Sequence, residues 1–308
     1  MFHQRTLKKN ITCVGKGLHS GKKVTLTLHP ADSNEGIAFV RTDIRKSIPV
    51  KVKPENVVET HLATTLGSNG IRISTVEHLL AALYGMGIDN LRIEVDSPEL
   101  PIMDGSAAPF IYLIQSAGIE SQKGLKKFLV IKRPVKVSDG NKMISIYPAK
   151  ECKISYTIDF NHPLLREQSI SLRFSDRTFE RDIARARTFG FLKEVEKLRA
   201  AGLAKGGSLD NVVVLGEFNV LNEGGLRYKD EFVRHKILDL MGDISLLGAY
   251  IIGHIKVFRS GHCLNHQLVR KVLASPASRK AFVSPKAEKP NGASTGMPAF
   301  KIFSGLRA

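Results

Sequence analysis

One histidine and two aspartates recur at four-residue spacing in the segment HKILDLMGD, residues 235–243. Because four residues turn an α-helix by about 400°, His235, Asp239 and Asp243 are predicted to lie on one stripe of a helix. Neutral imidazole and carboxylate oxygen are ordinary zinc ligands, and a histidine and an aspartate one turn apart can reach the same ion. A polar stripe that faces solvent is the alternative interpretation of this spacing.

A second histidine, with a carboxylate beside it, lies in the otherwise apolar stretch STVEHLLAALYGMG, residues 74–87. His78 could supply a third ligand, and Glu77 could serve as the base for a metal-bound water. Two alternatives stay open. His78 could be a core histidine with a satisfied hydrogen bond, and Glu77 could close a capping box by bonding to the backbone of Ser74.

Two more candidates lie in SGHCLNH (260–266) and RARTFGF (185–191). His262 follows a predicted strand in a loop, where it could act as a general acid or a ligand. Thr188 could donate its hydroxyl to a developing oxyanion. A loop histidine without a role and plain core packing are the alternatives. Together the candidates form the inventory of a catalytic zinc site, and the absence of HExxH excludes the thermolysin-type arrangement.

The elements that must position these residues come in two groups with the same order: strands, a long apolar helix, a strand, a loop and a helix. In the first group we predict strands at 24–30 and 37–42 with Gly21 in a hairpin turn, helices at 74–87 and 106–118, and a strand at 91–95. In the second we predict strands at 129–137, 143–147, 152–159, 169–174, 211–216 and 254–258, and helices at 191–200, 230–250 and 263–274. This order favours an α+β fold with a duplicated unit.

The domain boundaries follow from the polar, glycine-containing segment 122–128, which we interpret as a linker. We predict an N-terminal α+β domain at 1–126 and a C-terminal α+β domain at 127–279. Residues 280–308 are rich in proline, glycine, serine and lysine and are expected to form a loose tail.

The composition of the 308 residues limits the function classes. The chain has no run of 18 apolar residues and no signal-peptide core, so a cytoplasmic protein is expected. Its three cysteines, Cys13, Cys152 and Cys263, fit a reducing compartment and argue against a disulfide framework. The net charge of +17 favours anionic partners. A nucleic-acid-binding protein is the alternative, but the chain lacks an RNP signature, a KH-type GXXG loop and paired zinc fingers.

Long motifs make the chain resemble a known family. In order from about residue 3 to about residue 275, it resembles the UDP-3-O-acyl-N-acetylglucosamine deacetylases. The motifs that carry the resemblance are GKGLHSG (15–21), STVEHLLAALYGMGIDNLRIEVD (74–96), PIMDGSAAPF (101–110), DFNHPL (159–164), RARTFGF (185–191), GGSLDNVVV (206–214), VLNEGGLRYKDEFVRHKILDLMGD (220–243) and SGHCLN (260–265).

The resemblance implies two related α+β domains, each with sheet layers packed on helices, and an active site with zinc at their interface. It assigns the zinc to His78, His235 and Asp239, and iron could replace zinc at such a site. Glu77 matches the general base. The remaining catalytic set is Thr188 on the oxyanion side and His262 as the acid, oriented by Asp243.

The resemblance also implies the substrate contacts and the reaction. Lys236 matches a lysine near the substrate phosphates, and the positions near the nucleotide are Lys142, Asp159 and Phe160. The segment that forms the acyl-chain passage contains Phe189, Phe191, Leu192, Val195 and Ala204. The implied reaction removes the N-acetyl group of UDP-3-O-(3-hydroxyacyl)-N-acetylglucosamine as acetate, at the committed step of lipid A synthesis in Gram-negative bacteria.

The expected partners are the UDP-linked acylated amino sugar and, peripherally, the inner membrane surface, with no nucleic acid and no obligate protein partner. A catalytically silent scaffold of the same fold is a further alternative. The intact set of metal and acid–base residues argues against it.

Overall fold

The structure is a computed structural model that describes residues 2–283. It confirms the predicted mixture of helices and sheets. The strands are β1 (His3–Leu7), β2 (Ile11–Lys16), β3 (Lys23–Pro30), β4 (Ile37–Arg41), β5 (Val50–Lys51), β6 (Val57–Glu59), β7 (Thr65–Ser68), β8 (Ile71–Ile73), β9 (Leu91–Val95), β10 (Ile119–Leu125), β11 (Lys127–Ile131), β12 (Val135–Asp139), β13 (Lys142–Tyr147), β14 (Cys152–Ile158), β15 (Gln168–Arg173), β16 (Phe189–Phe191), β17 (Val213–Leu215), β18 (Tyr250–Phe258) and β19 (Arg279–Val283).

The α-helices are α1 (Glu77–Gly85), α2 (Ala108–Ala117), α3 (Asp176–Thr178), α4 (Leu192–Ala200), α5 (Glu231–Ile244) and α6 (His262–Leu273). A π-helical turn, Phe179–Ile183, follows α3 directly. Within the described residues, no helix is both long enough and apolar enough to cross a membrane.

The N-terminal sheet has the strand order β2-β3-β9-β4-β5. All neighbours are antiparallel except β9 and β4, which are parallel. The alternation in β3 explains the placement of this sheet, since Val24, Leu26 and Leu28 are buried and the residues between them are partly exposed. One face therefore packs on the protein core.

The C-terminal sheet repeats this arrangement as β12-β13-β18-β14-β15. Again all neighbours are antiparallel except one parallel pair, here β18 with β14. The surrounding helices correspond as well, because α1 and α2 flank β9 in the chain as α5 and α6 flank β18. The two units are thus related in topology, as the sequence predicts. The first residues of β18 pair with the additional strand β11, which in turn pairs with β19.

Helices α1 and α5 pack directly against each other in the interior. Every residue of α1 is buried, which explains why its sequence is apolar throughout after Glu77 and His78. At the contact, a Cβ added to Gly242 would lie 2.2 Å from the carbonyl oxygen of Glu77, closer than any real Cβ approaches. Glycine at this position therefore allows the two backbones to touch.

The predicted linker at 122–128 is wrong. Residues through Leu125 belong to β10, which pairs with β1, and β11 begins at Lys127. A two-stranded ribbon has little apolar surface to bury, so a polar, glycine-containing strand is tolerated there. The domain boundary at 126/127 stays a prediction.

Three other boundaries differ from the sequence prediction. The helix predicted at 230–250 ends at Ile244, and after a 3-10 turn Gly248 adopts φ +62°, which lets β18 begin at Tyr250. The strand predicted at 129–137 is divided into β11 and β12. Pro134 lies in the gap between them, where its lack of an N–H does not remove a hydrogen bond from a sheet. The tail prediction is wrong for 280–283, which belong to β19, and residues 284–308 lie outside the described part.

Candidate metal centre and active site

His78, His235 and Asp239 converge where α1 meets α5. One ligand atom from each residue lies within 4.8 Å of the other two. The Nε2 atom of His78 is 3.6 Å from Oδ1 of Asp239, and Nε2 of His235 is 3.3 Å from the same oxygen. All three residues are buried. The stripe of α5 faces the interior, so the solvent-facing alternative is wrong.

The protonation of this cluster suits metal binding. Burial is the main cause that lowers the pKa of His235, to about 4, so the imidazole is neutral at pH 7. Its Nδ1 donates a hydrogen bond to the carbonyl oxygen of Ala186 at 3.1 Å, which leaves Nε2 free of the proton. Burial opposes the charge on Asp239, but His235 and Lys236 hold the pKa of this carboxyl well below its ordinary value. Two imidazoles and one carboxylate form a donor set that fits zinc.

Glu77 begins α1 and lies beside the cluster. Its Oε2 accepts a hydrogen bond from the backbone N–H of Thr64 at 3.0 Å. The capping-box alternative is therefore wrong, because the helix starts at Glu77 itself and the carboxylate does not reach back to Ser74. Burial raises the pKa of Glu77, against the opposing charges of His262 and His78. A carboxylate with a raised pKa is a stronger base near neutral pH.

His262 begins α6 and is held by Asp243. Its Nδ1 donates to Oδ2 of Asp243 at 2.8 Å. The same carboxylate accepts from the hydroxyl of Thr64 at 2.6 Å and from the side-chain amide of Asn265 at 2.9 Å. Burial works against the charged imidazole, but Asp243 more than compensates and the pKa of His262 is raised to about 9. The structure therefore places a protonated histidine beside the cluster at neutral pH.

Thr188 directly precedes β16 and lines the cavity that His235 also borders. Its backbone N–H donates to the carbonyl oxygen of Gly105 at 2.8 Å, and its carbonyl oxygen accepts from Val213 at 2.8 Å. Two residues earlier, Ala186 accepts the hydrogen bond from His235. The loop that carries Thr188 is thus in contact with a residue of the candidate metal cluster.

Lys236 pairs with Oδ2 of Asp239 through a short contact. Burial alone would lower the pKa of this lysine, but the charge and hydrogen bond of Asp239 raise it above the ordinary value. Lys236 therefore stays charged, and it reaches both the candidate metal cluster and the cavity beside it.

Two neighbouring cavities lie in this region. The first, of about 430 Å³, is bordered by His235, by three cations, Lys142, Lys236 and Arg259, and by two carboxylates, Asp159 and Glu194. The second, of about 270 Å³, is mainly apolar and includes Leu192, Val195, Leu198 and Ala204. Both cavities are lined by Thr188, Phe189 and Gly190, so they are neighbours at this segment, and His235 borders only the first.

The predicted contact residues divide between the cavities. Asp159, Phe160 and Phe191 line the cationic cavity. Phe191, which the resemblance assigned to the acyl-chain passage, does not line the apolar cavity. Phe160 contacts both Phe189 and Phe191, with ring centroids 5.9 and 5.8 Å apart. Leu192, Val195 and Ala204 line the apolar cavity as expected.

Sequence reasoning missed four residues of this site. Thr64 and Asn265 hold Asp243, and a buried pair, Arg187 and Glu231, holds the Thr188 loop. Glu231 carries a signal that could have been found, because it precedes His235 by four residues and extends the 235/239/243 spacing by one turn. Thr64 lies 13 residues before Glu77 and 179 residues before Asp243, and no local pattern connects it with either.

Comparison with known proteins gives a consistent result. The family model of UDP-3-O-acyl N-acetylglycosamine deacetylase matches residues 4–274. A protein of Myxococcus xanthus (strain DK1622) is 58% identical over 276 residues, which cover 90% of this chain and 88% of the relative. A protein of Shewanella loihica (strain ATCC BAA-1088 / PV-4) is 51% identical over 307 residues, covering 99% and 100%. Both relatives are named UDP-3-O-acyl-N-acetylglucosamine deacetylase.

Proposed function

Because the chain belongs to the UDP-3-O-acyl N-acetylglycosamine deacetylase family, we propose that it is a zinc-dependent amide hydrolase. Its substrate would be UDP-3-O-(3-hydroxyacyl)-N-acetylglucosamine. Water cleaves the acetamide C–N bond, giving the free amine of the UDP-linked acylated glucosamine and acetate. This is the committed step that the family resemblance assigns to lipid A synthesis.

The observation that carries the proposal is the pair of neighbouring, chemically different cavities that share Thr188, one of which His235 of the metal-type cluster borders. A cavity with three cations suits a diphosphate, and a mainly apolar cavity suits an acyl chain. A substrate with one group in each cavity would present the sugar between them, beside His235 and Thr188. The nucleic-acid-binding alternative does not account for this arrangement.

The metal would be held by His78, His235 and Asp239, whose two imidazoles and one carboxylate fit zinc. Zinc bound there would supply Lewis acidity, which polarises the acetyl carbonyl and lowers the pKa of a water molecule. Ferrous iron accepts the same donors, so the metal used in the cell is part of the test.

The remaining chemistry belongs to side chains of the chain itself. Glu77, with its raised pKa, accepts the proton of the attacking water. Thr188 donates its hydroxyl to the developing oxyanion. His262, protonated at neutral pH, stabilises the same charge and then gives its proton to the sugar nitrogen as the C–N bond breaks. Asp243 keeps His262 charged and oriented throughout.

The positive net charge of the chain is consistent with an anionic substrate. The net charge of +17 favours capture of a diphosphate substrate and peripheral contact with an anionic membrane surface, where acylated products would collect. We place the reaction in the cytoplasm, where UDP-activated sugars are made.

The test is acetate release from the proposed substrate by the purified protein with quantified metal. We expect release to be lost with a chelator, restored by zinc, and strongly reduced in Glu77→Ala. Glu196→Ala, on the exposed side of α4, serves as the matched control and is expected to retain activity. Parallel reconstitution with ferrous iron under nitrogen compares the two metals. A folded, metal-loaded protein that releases no acetate would contradict the proposal.

A further inference from the structure

We propose that the buried pair of Arg187 and Glu231 is a positioning device that sets the metal ligand His235 and the hydroxyl of Thr188 together. The inference rests on the proposed function, since it assigns these two residues to the same reaction. Neither member of the pair lines the two cavities, so each acts through its neighbours.

The pair is built from several donors on one carboxylate. Oε1 of Glu231 accepts from the backbone N–H of Arg187 at 3.0 Å and from its Nε at 2.9 Å. Oε2 accepts from a guanidinium nitrogen of Arg187 at 3.1 Å and from the backbone N–H of Arg227 at 2.6 Å. Glu231 is fully buried and Arg187 is 8% exposed. Because the same oxygen binds the backbone and the side chain of Arg187, the peptide itself is fixed and not only the guanidinium.

The fixed peptide lies between the two groups that matter for catalysis. Ala186, on one side of Arg187, accepts the Nδ1 hydrogen bond of His235 at 3.1 Å. Thr188, on the other side, is the proposed oxyanion donor. A shift of this short loop would therefore change the orientation of the imidazole and the position of the hydroxyl at the same time.

Because Glu231 lies on α5, it fixes the loop relative to the helix that carries the metal ligand His235. Glu231 lies one helical turn before His235, and both residues face the interior. The loop is thus tied to the same helix at two successive turns, once through Glu231 and once through His235. Stability alone gives weak reason for such a pair, because apolar residues of similar volume are often as stabilising as a buried ion pair. The forked geometry of arginine instead favours precise placement.

The test measures metal binding directly, so that it does not depend on activity. We expect Glu231→Gln to weaken zinc affinity by about 10- to 100-fold in a chelator competition. The absorption bands of the Co²⁺-substituted protein should shift as well, and kcat at saturating zinc should fall by more than KM changes. Asp230→Asn is the matched control. It removes the neighbouring carboxylate, which pairs with the partly buried Arg234 and not with the Thr188 loop, and should leave affinity and spectrum unchanged.

Arg187→Lys keeps the positive charge but loses the planar set of N–H donors of the guanidinium. If Glu231→Gln does not fold, we expect the same loss of zinc affinity and the same spectral shift in Arg187→Lys. Unchanged zinc affinity and an unchanged cobalt spectrum in either folded variant would overturn the inference, as would an equal effect of Asp230→Asn. Failure of the proposed function would be distinguishable from failure of this inference. In that case the unsubstituted protein would bind zinc without releasing acetate.

Discussion

The imidazole of His262 and the carboxylate of Asp243 form a buried ion pair in which Nδ1 donates to Oδ2 across 2.8 Å. Asp243 comes from the end of α5 and His262 from the start of α6. Thr64 and Asn265 saturate the same carboxylate, and the hydroxyl of Ser260 in turn holds Asn265 at 2.8 Å. The acid is therefore oriented by a chain of buried hydrogen bonds and not by a single contact.

We expect this pair to set the alkaline limb of the pH profile. Because the pKa of His262 is raised to about 9, the proton-donating form persists above neutrality and is lost as the pH rises past that value. In Asp243→Asn the charge that favours the imidazolium is removed, so the alkaline limb of kcat/KM should move more than one unit toward lower pH. Glu151→Gln, which disturbs only the pair with Arg173, should leave it in place. An unmoved limb in Asp243→Asn would contradict the assignment.

Glu77→Gln tests the base with little change in shape. The amide oxygen can still accept from the N–H of Thr64, so the fold and the bound zinc should be retained. We expect kcat to fall by roughly 10²- to 10⁴-fold. The acid limb of the profile, which reflects the raised pKa of Glu77, should disappear in the residual activity. Metal analysis of the same sample shows whether zinc has been lost instead, an outcome that would make Glu77 a structural residue.

Gly242→Ala tests the contact between α1 and α5. The new methyl would meet the backbone of Glu77 at 2.2 Å, which forces the helices apart. We expect a loss of at least about 1–3 kcal/mol in the free energy of unfolding. Zinc affinity should also fall, since His78 and His235 lie on the two separated helices. Gly224→Ala is the control, because a Cβ there meets nothing within 4 Å. Equal stability and zinc affinity in the two variants would contradict the prediction.

Lys142→Ala tests the cationic cavity. Removal of one of its three cations should raise KM by about tenfold with little change in kcat, as expected for uniform binding of substrate and transition state. The increase of KM with added salt should become less steep in the variant. Lys136→Ala, an exposed position on the neighbouring strand β12, should behave like the unsubstituted protein. A salt-independent KM in the unsubstituted protein would count against a charged ligand in this cavity.

Val195→Phe tests the apolar cavity. The larger side chain fills part of the 270 Å³ space, so substrates with long acyl chains should lose kcat/KM while those with short chains retain it. Each methylene that remains buried is worth about 0.8 kcal/mol, which is roughly fourfold in kcat/KM. The measurement is kcat/KM across a series of acyl lengths. An equal loss of kcat/KM for every acyl length would show that the substitution damages the fold and does not change the preferred acyl length.

Much of the site was predictable because it follows helical periodicity. The four-residue spacing placed His235, Asp239 and Asp243 on one stripe but left open whether it faces solvent, and apolar residues at helical and strand spacing identified α1, α5 and the strands around them. The local patterns did not distinguish alternatives that depend on tertiary contacts. Glu77 could have capped its own helix, and only the approach of Thr64 from another part of the chain decides that it does not.

The predictions failed where tertiary pairing overrides composition. Residues 122–128 have the composition of a linker, but β1 and β18 provide partners for the backbone on either side of Lys126. That lysine is itself buried and bonds to the carbonyl oxygen of Gly87 at 2.7 Å. Such a partner, distant in the sequence, cannot be read from a local window.

The repeated strand order also affects the biosynthesis of the protein. Each of the two topologically related units supplies one histidine to the cluster, and roughly half the chain separates His78 from Asp239. An N-terminal half that leaves the ribosome first would carry only one of the three ligands. A metal held by this cluster would therefore be captured only after α5 has been translated and has docked on α1, and its binding would mark a chain whose two halves have been assembled.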